Sequence, residues 1–138
     1  MHIQRFEVGP FAQNTYLIWD DPKHALLIDA GFSNKNEFNT FFEFLATHHI
    51  EVDGILLTHA HVDHILGLQR LLQTIDSPVY HFKEESFLWE NFEHQARMFG
   101  FNAILPSITP LPLTHNQIVK LQNIEIKVFY TPGHAPDH

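Results

Sequence analysis

Seven residues, Thr58-His59-Ala60-His61-Val62-Asp63-His64, constrain this chain more than any other stretch. They follow the apolar run Gly54-Ile55-Leu56-Leu57 and precede a 3.6-residue stripe of Ile65, Leu68, Leu71, Leu72 and Ile75. The segment therefore sits where a buried strand hands over to a helix that runs from about Asp63 to Asp76 and stops before Pro78. Three imidazoles and a carboxylate within six positions is a density of metal-ligand types that a purely structural segment has little reason to carry. Twelve histidines occur in 138 residues, yet chance would produce His-x-His-x-Asp-His only on the order of 0.004 times per chain. His59 and His61, two apart in an extended segment, can share a face and reach one ion, while Asp63 and His64 lie beyond a bend and can serve a second. Imidazole suits zinc or iron and carboxylate tolerates manganese as well, so the mixed set points to a divalent transition metal without fixing which.

The remaining chain supplies one α/β domain over residues 1–138. Ile3, Phe6 and Val8, then Thr15 to Trp19, then Ala25 to Ile28, read as strands, the last closed by Asp29-Ala30-Gly31. Phe38, Phe41, Phe42 and Leu45 predict a helix over 36–48 capped by Ser33 or Asn34, with the phenylalanines as core. Val52 to Leu57 is a strand, Pro78 to His81 a short one, and Lys83 to Phe99 a helix ending at Gly100 with Glu84-Glu85 in its first turn. His81 and His94 read as surface or packing residues. Residues 102–116, with Pro106, Pro110 and Pro112, read as loop. Ile118 to Leu121 and Ile124 to Tyr130 form a hairpin around Gln122-Asn123, whose second strand runs into Thr131-Pro132-Gly133-His134.

Charge narrows the partners. A formal charge of −8 with only eight Lys and Arg leaves little to meet a phosphate backbone or an anionic membrane, so neither nucleic acid nor membrane is expected. The absence of cysteine removes thiolate ligands and nucleophiles, leaving histidine to carry metal chemistry. No secretion signal is recognisable at the N-terminus and no apolar run reaches spanning length, so a soluble cytoplasmic setting is expected.

The central motif with Gly67, preceded by Leu27-Ile28-Asp29-Ala30-Gly31 and followed by Thr131-Pro132-Gly133-His134, resembles the metallo-β-lactamase-fold superfamily. The opening Gly9 to Ile18 resembles its glyoxalase-II-like hydrolases. The resemblance implies an αββα sandwich of which this chain supplies the N-terminal sheet and helices. It also implies that His59, His61 and His134 bind a first metal and that Asp63 and His64 bind a second. Asp29 and Thr58 would stand behind these ligands and orient them. Asp63 would orient a metal-bound hydroxide, and His61, glutamate in flavodiiron-type relatives, points to the hydrolases. The implied function is hydrolysis of a small-molecule thioester such as a hydroxyacylglutathione. Iron-dependent persulfide dioxygenase, lactonase or ester hydrolase, and metal-binding fragment without turnover are the alternatives.

In the family, a bridging aspartate and a last histidine follow downstream of the Thr-Pro-Gly-His loop, whereas this sequence ends at Ala135-Pro136-Asp137-His138. Asp137 and His138 lie too close to His134 to replace them. A C-terminally incomplete domain is therefore expected, holding at most one ion firmly and pairing its uncovered apolar face with a second copy or a complementing chain.

Overall fold

The computed structural model describes residues 1–20, 23–82, 87–121 and 124–138. Its centre is a six-stranded sheet in the order β1 (His2–Val8), β2 (Gln13–Asp20), β3 (His24–Ile28), β4 (Glu51–Leu56), β5 (Val79–Phe82), β6 (Leu111–Leu113). The first three strands pair antiparallel and β3 to β6 pair parallel. Alternation along β3 divides the core: Leu27 faces one apolar cluster and Leu26 the other, as the two-residue period of a strand requires.

The larger cluster lies between the sheet and the helices. Helix α1 (Lys35–His48) contributes Phe38, Phe41 and Leu45, which meet Leu17, Leu27 and Ile55 from the strands. Its start is set by Asn34, whose side chain accepts from the backbone of Asn36 and Glu37 at 3.0 and 3.1 Å, satisfying donors that a helix N-terminus leaves unpaired. Glu37 then reaches back to the N–H groups of Ser33 and Gly9 at 2.7 and 3.0 Å, tying the β1–β2 turn to the helix. On the opposite face the hairpin β7 (Ile118–Leu121) and β8 (Ile124–Lys127) lays Val119 and Ile124 on Leu26, Leu56, Phe82 and Leu113. These are an α layer, a mixed sheet and a second, two-stranded sheet, in the order an αββα sandwich requires.

Several elements differ from the sequence reading. The helix expected over 63–76 is two short ones, α2 (Val62–Ile65) and α3 (Leu68–Leu71). Ala30 N–H takes the carbonyl of His64 at 2.7 Å and Ala30 C=O takes the N–H of Gly67 at 2.8 Å, so the segment after β3 captures groups that a continuous helix would use itself. The helix ending before Gly100 is also divided, into α4 (Phe87–Glu90) and α5 (Phe92–Met98). At the break the Asn91 side chain donates to Phe87 C=O at 2.9 Å, sharing that carbonyl with the Asn91 backbone N–H at 3.0 Å. Its expected first turn, with Glu84 and Glu85, lies outside the described residues, as does the hairpin turn Gln122-Asn123. Leu111–Leu113, read as loop because of its prolines, pairs with β5 as an edge strand, a position where Pro112 need not donate to a further neighbour. The last strand ends at Lys127 instead of Tyr130. Among the described residues no helix is long and apolar enough to cross a membrane.

The approach of the post-β3 segment to α2 is a backbone contact. A Cβ at Gly67 would stand 2.6 Å from Phe32 O, and one at Gly31 would stand 2.4 Å from Asp63 O. Gly67→Ala is expected to destabilise the fold by about 1–3 kcal/mol through overpacking, read as a lower midpoint in urea denaturation with an unchanged slope.

Candidate metal centre

Three segments that end strands converge at one edge of the sheet. β3 runs into Asp29, β4 into Thr58 to His61, and β8 is followed by the loop that carries His134. Asp29 is 3% exposed and holds φ at +63°, a left-handed conformation that aspartate tolerates better than most residues. Its carboxylate is fully engaged. One oxygen accepts from Thr58 N–H at 2.8 Å, and the Thr58 hydroxyl lies at 3.1 and 2.9 Å from the two oxygens. The second oxygen also meets Nδ1 of His64 at 2.8 Å.

These contacts assign the imidazole protons. A carboxylate only accepts, so the Thr58 hydroxyl spends its single hydrogen on Asp29, and its oxygen accepts from Nδ1 of His59, 3.0 Å away. His59 therefore presents an unprotonated Nε2. That atom is buried without a hydrogen-bond partner, in a side chain only 2% exposed. Burial first, then the neighbouring rings of His64, His61 and His134, push the His59 pKa down to about 3, so the ring stays neutral at physiological pH. An orphaned buried lone pair is costly unless something binds it. By the same reasoning the Nδ1–H of His64 goes to Asp29, and its Nε2 points towards Asp63, 3.6 Å from the carboxylate. Burial opposes charge on His64, but the hydrogen bond and field of Asp29, with Asp63 and Asp137, outweigh it and its pKa is raised.

His61 stands at the N-terminal boundary of α2 in an extended conformation, its Nδ1 3.1 Å from Nε2 of His134. Burial, followed by His134, lowers the pKa of His61. One ligand atom from each of His59, His61 and His134 lies within 4.8 Å of the others, a group of imidazole nitrogens close enough to converge on one ion. The structure thus brings together His59, His61 and His134 as one group and Asp63 with His64 as a second. Thr58 and Asp29 lie directly behind them. An open cavity of about 340 Å³ is lined by Asn14, Tyr16, Asp29, Asp63, His64 and His138 among others.

Three residues acquire a place that sequence reasoning did not give them. His81 is buried and its Nε2 lies 2.8 Å from Asp137, which corrects its reading as an ordinary surface or packing residue. His94 is exposed. Asp137 has no exposed surface; burial favours its neutral form, but hydrogen bonds from His81 and Ala60 N–H hold its pKa below the ordinary carboxylate value. Gln13, also buried, accepts from the Thr15 hydroxyl and places its amide nitrogen 3.4 Å from Nδ1 of His64. Neither Gln13 nor Asp137 carries a periodic signal, because each is engaged by partners distant in sequence, Gln13 by His64 and Asp137 by Ala60 and His81. His138 packs its ring 5.2 Å from that of His59 and lines the cavity, although its Nδ1 is turned to Thr131.

Asp29→Ala strips Thr58 N–H and His64 Nδ1–H of their acceptor inside the fold. The expected cost is about 2–3 kcal/mol, the range for bonds to a charged group, measured by chemical denaturation of the metal-free protein.

Comparison with known proteins agrees with this arrangement. The metallo-beta-lactamase superfamily model matches residues 8–138. The chain is 33% identical to hydroxyacylglutathione hydrolase GloC of Haemophilus influenzae over 100% of its own length and 64% of that relative's. The crystal structure of BLEG-1 B3 metallo-beta-lactamase superposes with a TM-score of 0.82 at 26% identity, covering 99% of this chain and 64% of that one. TTHA1623 in a di-iron-bound form does so with a TM-score of 0.80 at 30% identity, covering 98% and 64%. The chain therefore spans less than two thirds of the length of each of these three proteins. With the match running through all three strand-end segments, the chain belongs to the metallo-β-lactamase superfamily.

Proposed function

We propose that the chain provides the metal centre of a hydrolase that cleaves a thioester such as a hydroxyacylglutathione. The observation that carries this reading is the convergence of His59, His61 and His134 around the buried, unpaired Nε2 of His59. These three nitrogens would hold a first ion, and Asp63 with Nε2 of His64 would serve a second. Zinc is the first choice for such imidazole ligands, with iron or manganese admissible. A divalent metal bound there supplies Lewis acidity and lowers the pKa of water towards neutrality.

The protein's own groups do the rest. Asp29 fixes the orientation of His64 directly and of His59 through Thr58, holding the Nδ1 side of each ring so that Nε2 is the nitrogen turned to the ion. Asp63, open to the cavity, is placed to accept a proton from the attacking water. The thioester would lie in the cavity beside Asn14 and Tyr16. Among the described residues its lining contains no Lys or Arg, so selectivity for the carboxylates of glutathione would draw on residues outside that set. The name of the GloC relative supports the thioester, and a glutathione substrate belongs in the cytoplasm, where glutathione keeps thiols reduced. The di-iron-bound form of TTHA1623 keeps iron admissible as the metal, and with iron the second reading is persulfide oxygenation.

Elemental analysis of the purified protein is expected to find one firmly held ion per chain, lost in His59→Ala and in His134→Ala. Zinc-loaded protein should cleave a hydroxyacylglutathione, and chelation should abolish that cleavage. Failure to retain any metal overturns the proposal. Oxygen uptake with glutathione persulfide by the iron-loaded protein selects the second reading, and metal retention with neither reaction selects a metal-binding fragment.

A further inference from the structure

We infer that Asp137 is a positioning residue: a buried carboxylate staple, anchored on the sheet by His81, that sets the separation of the two loops from which the metal-centre histidines come. The inference rests on the metal reading above and concerns a contact on the far side of Ala60 from the ligands.

Asp137 lies three residues beyond His134. One of its oxygens accepts from Ala60 N–H at 2.9 Å and from His81 Nε2 at 2.8 Å. Ala60 is the residue between His59 and His61 and has no exposed surface. Its carbonyl is held from the other side by the Gln95 amide of α5 at 3.2 Å. The peptide joining the first two histidines is therefore clamped between a carboxylate from the C-terminal loop and an amide from the helical layer. His81 belongs to β5, which pairs with β4, the strand that feeds the histidine loop. The third histidine is thereby referenced to the same strands as the first two.

Energetics argue that geometry is what this contact secures. Burying a carboxylate is costly, and its other oxygen has no hydrogen-bond partner, so an apolar side chain of similar volume would secure the loop at lower cost. An apolar side chain would not fix the height of Ala60 relative to His134. That height matters because His61 Nδ1 and His134 Nε2, from opposite loops, stand only 3.1 Å apart. His134 itself is exposed, so its position follows that of the loop the staple holds.

Cobalt(II) titration followed by visible absorption tests this, with circular dichroism confirming that each variant folds. Asp137→Ala is expected to bind cobalt roughly 10- to 100-fold more weakly, as loss of a group supporting metal ligands does, and to change the absorption envelope. Asp137→Asn should recover most of both, because its amide oxygen can take the place of the carboxylate oxygen that accepts from both Ala60 and His81. Should Asp137→Ala not fold, His81→Phe decides: it removes one donor at similar ring volume and should shift affinity and envelope in the same direction. A variant with a lowered unfolding midpoint but unchanged cobalt affinity and spectrum overturns the inference and leaves the carboxylate a merely structural group. If the wild type takes up no cobalt, the metal reading falls. The staple is then judged on the ring ¹⁵N resonances of His59 and His61 in metal-free protein, which must move in the variant and overturn it if they do not.

Discussion

The contact on which the site depends is the backbone-to-backbone seating of residues 29–32 against α2. Gly31 and Gly67 leave no room for a Cβ, and Ala30 exchanges hydrogen bonds with His64 and Gly67. This exchange ends α2 after one turn and fixes where Asp63 and His64 begin. It also confines Asp29 to a left-handed conformation, a local strain of the kind that surrounding structure must over-determine to persist. The return is a carboxylate aimed at Thr58 and His64 together. Proton positions on His59 and His64 then follow from donor and acceptor arithmetic, so the chemistry of the centre is written by a turn that contains none of the three clustered histidines.

Much of this was legible in the sequence because it depends on local periodicity. Alternating strands, the phenylalanine face of α1 and the histidine-rich strand-to-helix junction each declare themselves within a short window. The resemblance linked that junction to His134, 70 residues downstream of His64 by numbering. What was not legible depends on tertiary partners. The break in the 63–76 helix is caused by Ala30, which no pattern within that helix announces. β6 contains Pro112 and directly follows Pro110, which read as strand-breaking context, yet it pairs because it lies at an edge. His81 and Asp137 are buried together across 56 positions, and each looks ordinary in its own segment.

The distribution of charge has a further consequence. In a chain of formal charge −8, the three side chains clustered at the proposed first metal position are all imidazoles. Asp29 stands one hydrogen bond behind His64, and one more, through Thr58, behind His59; Asp137 meets the backbone between His59 and His61. Carboxylates in these positions increase ligand basicity and hold ring orientation without neutralising an ion by direct contact. An ion held there by three imidazole nitrogens would keep its formal charge and hence its power to polarise an oxygen. Asp63 is the exception: it faces the cavity beside His64, so the second position is mixed in charge and harder in character. The two positions therefore differ in what they favour. Under the proposed function, the first would suit tight capture of a borderline metal, and the second a more loosely held ion or the proton of the attacking water.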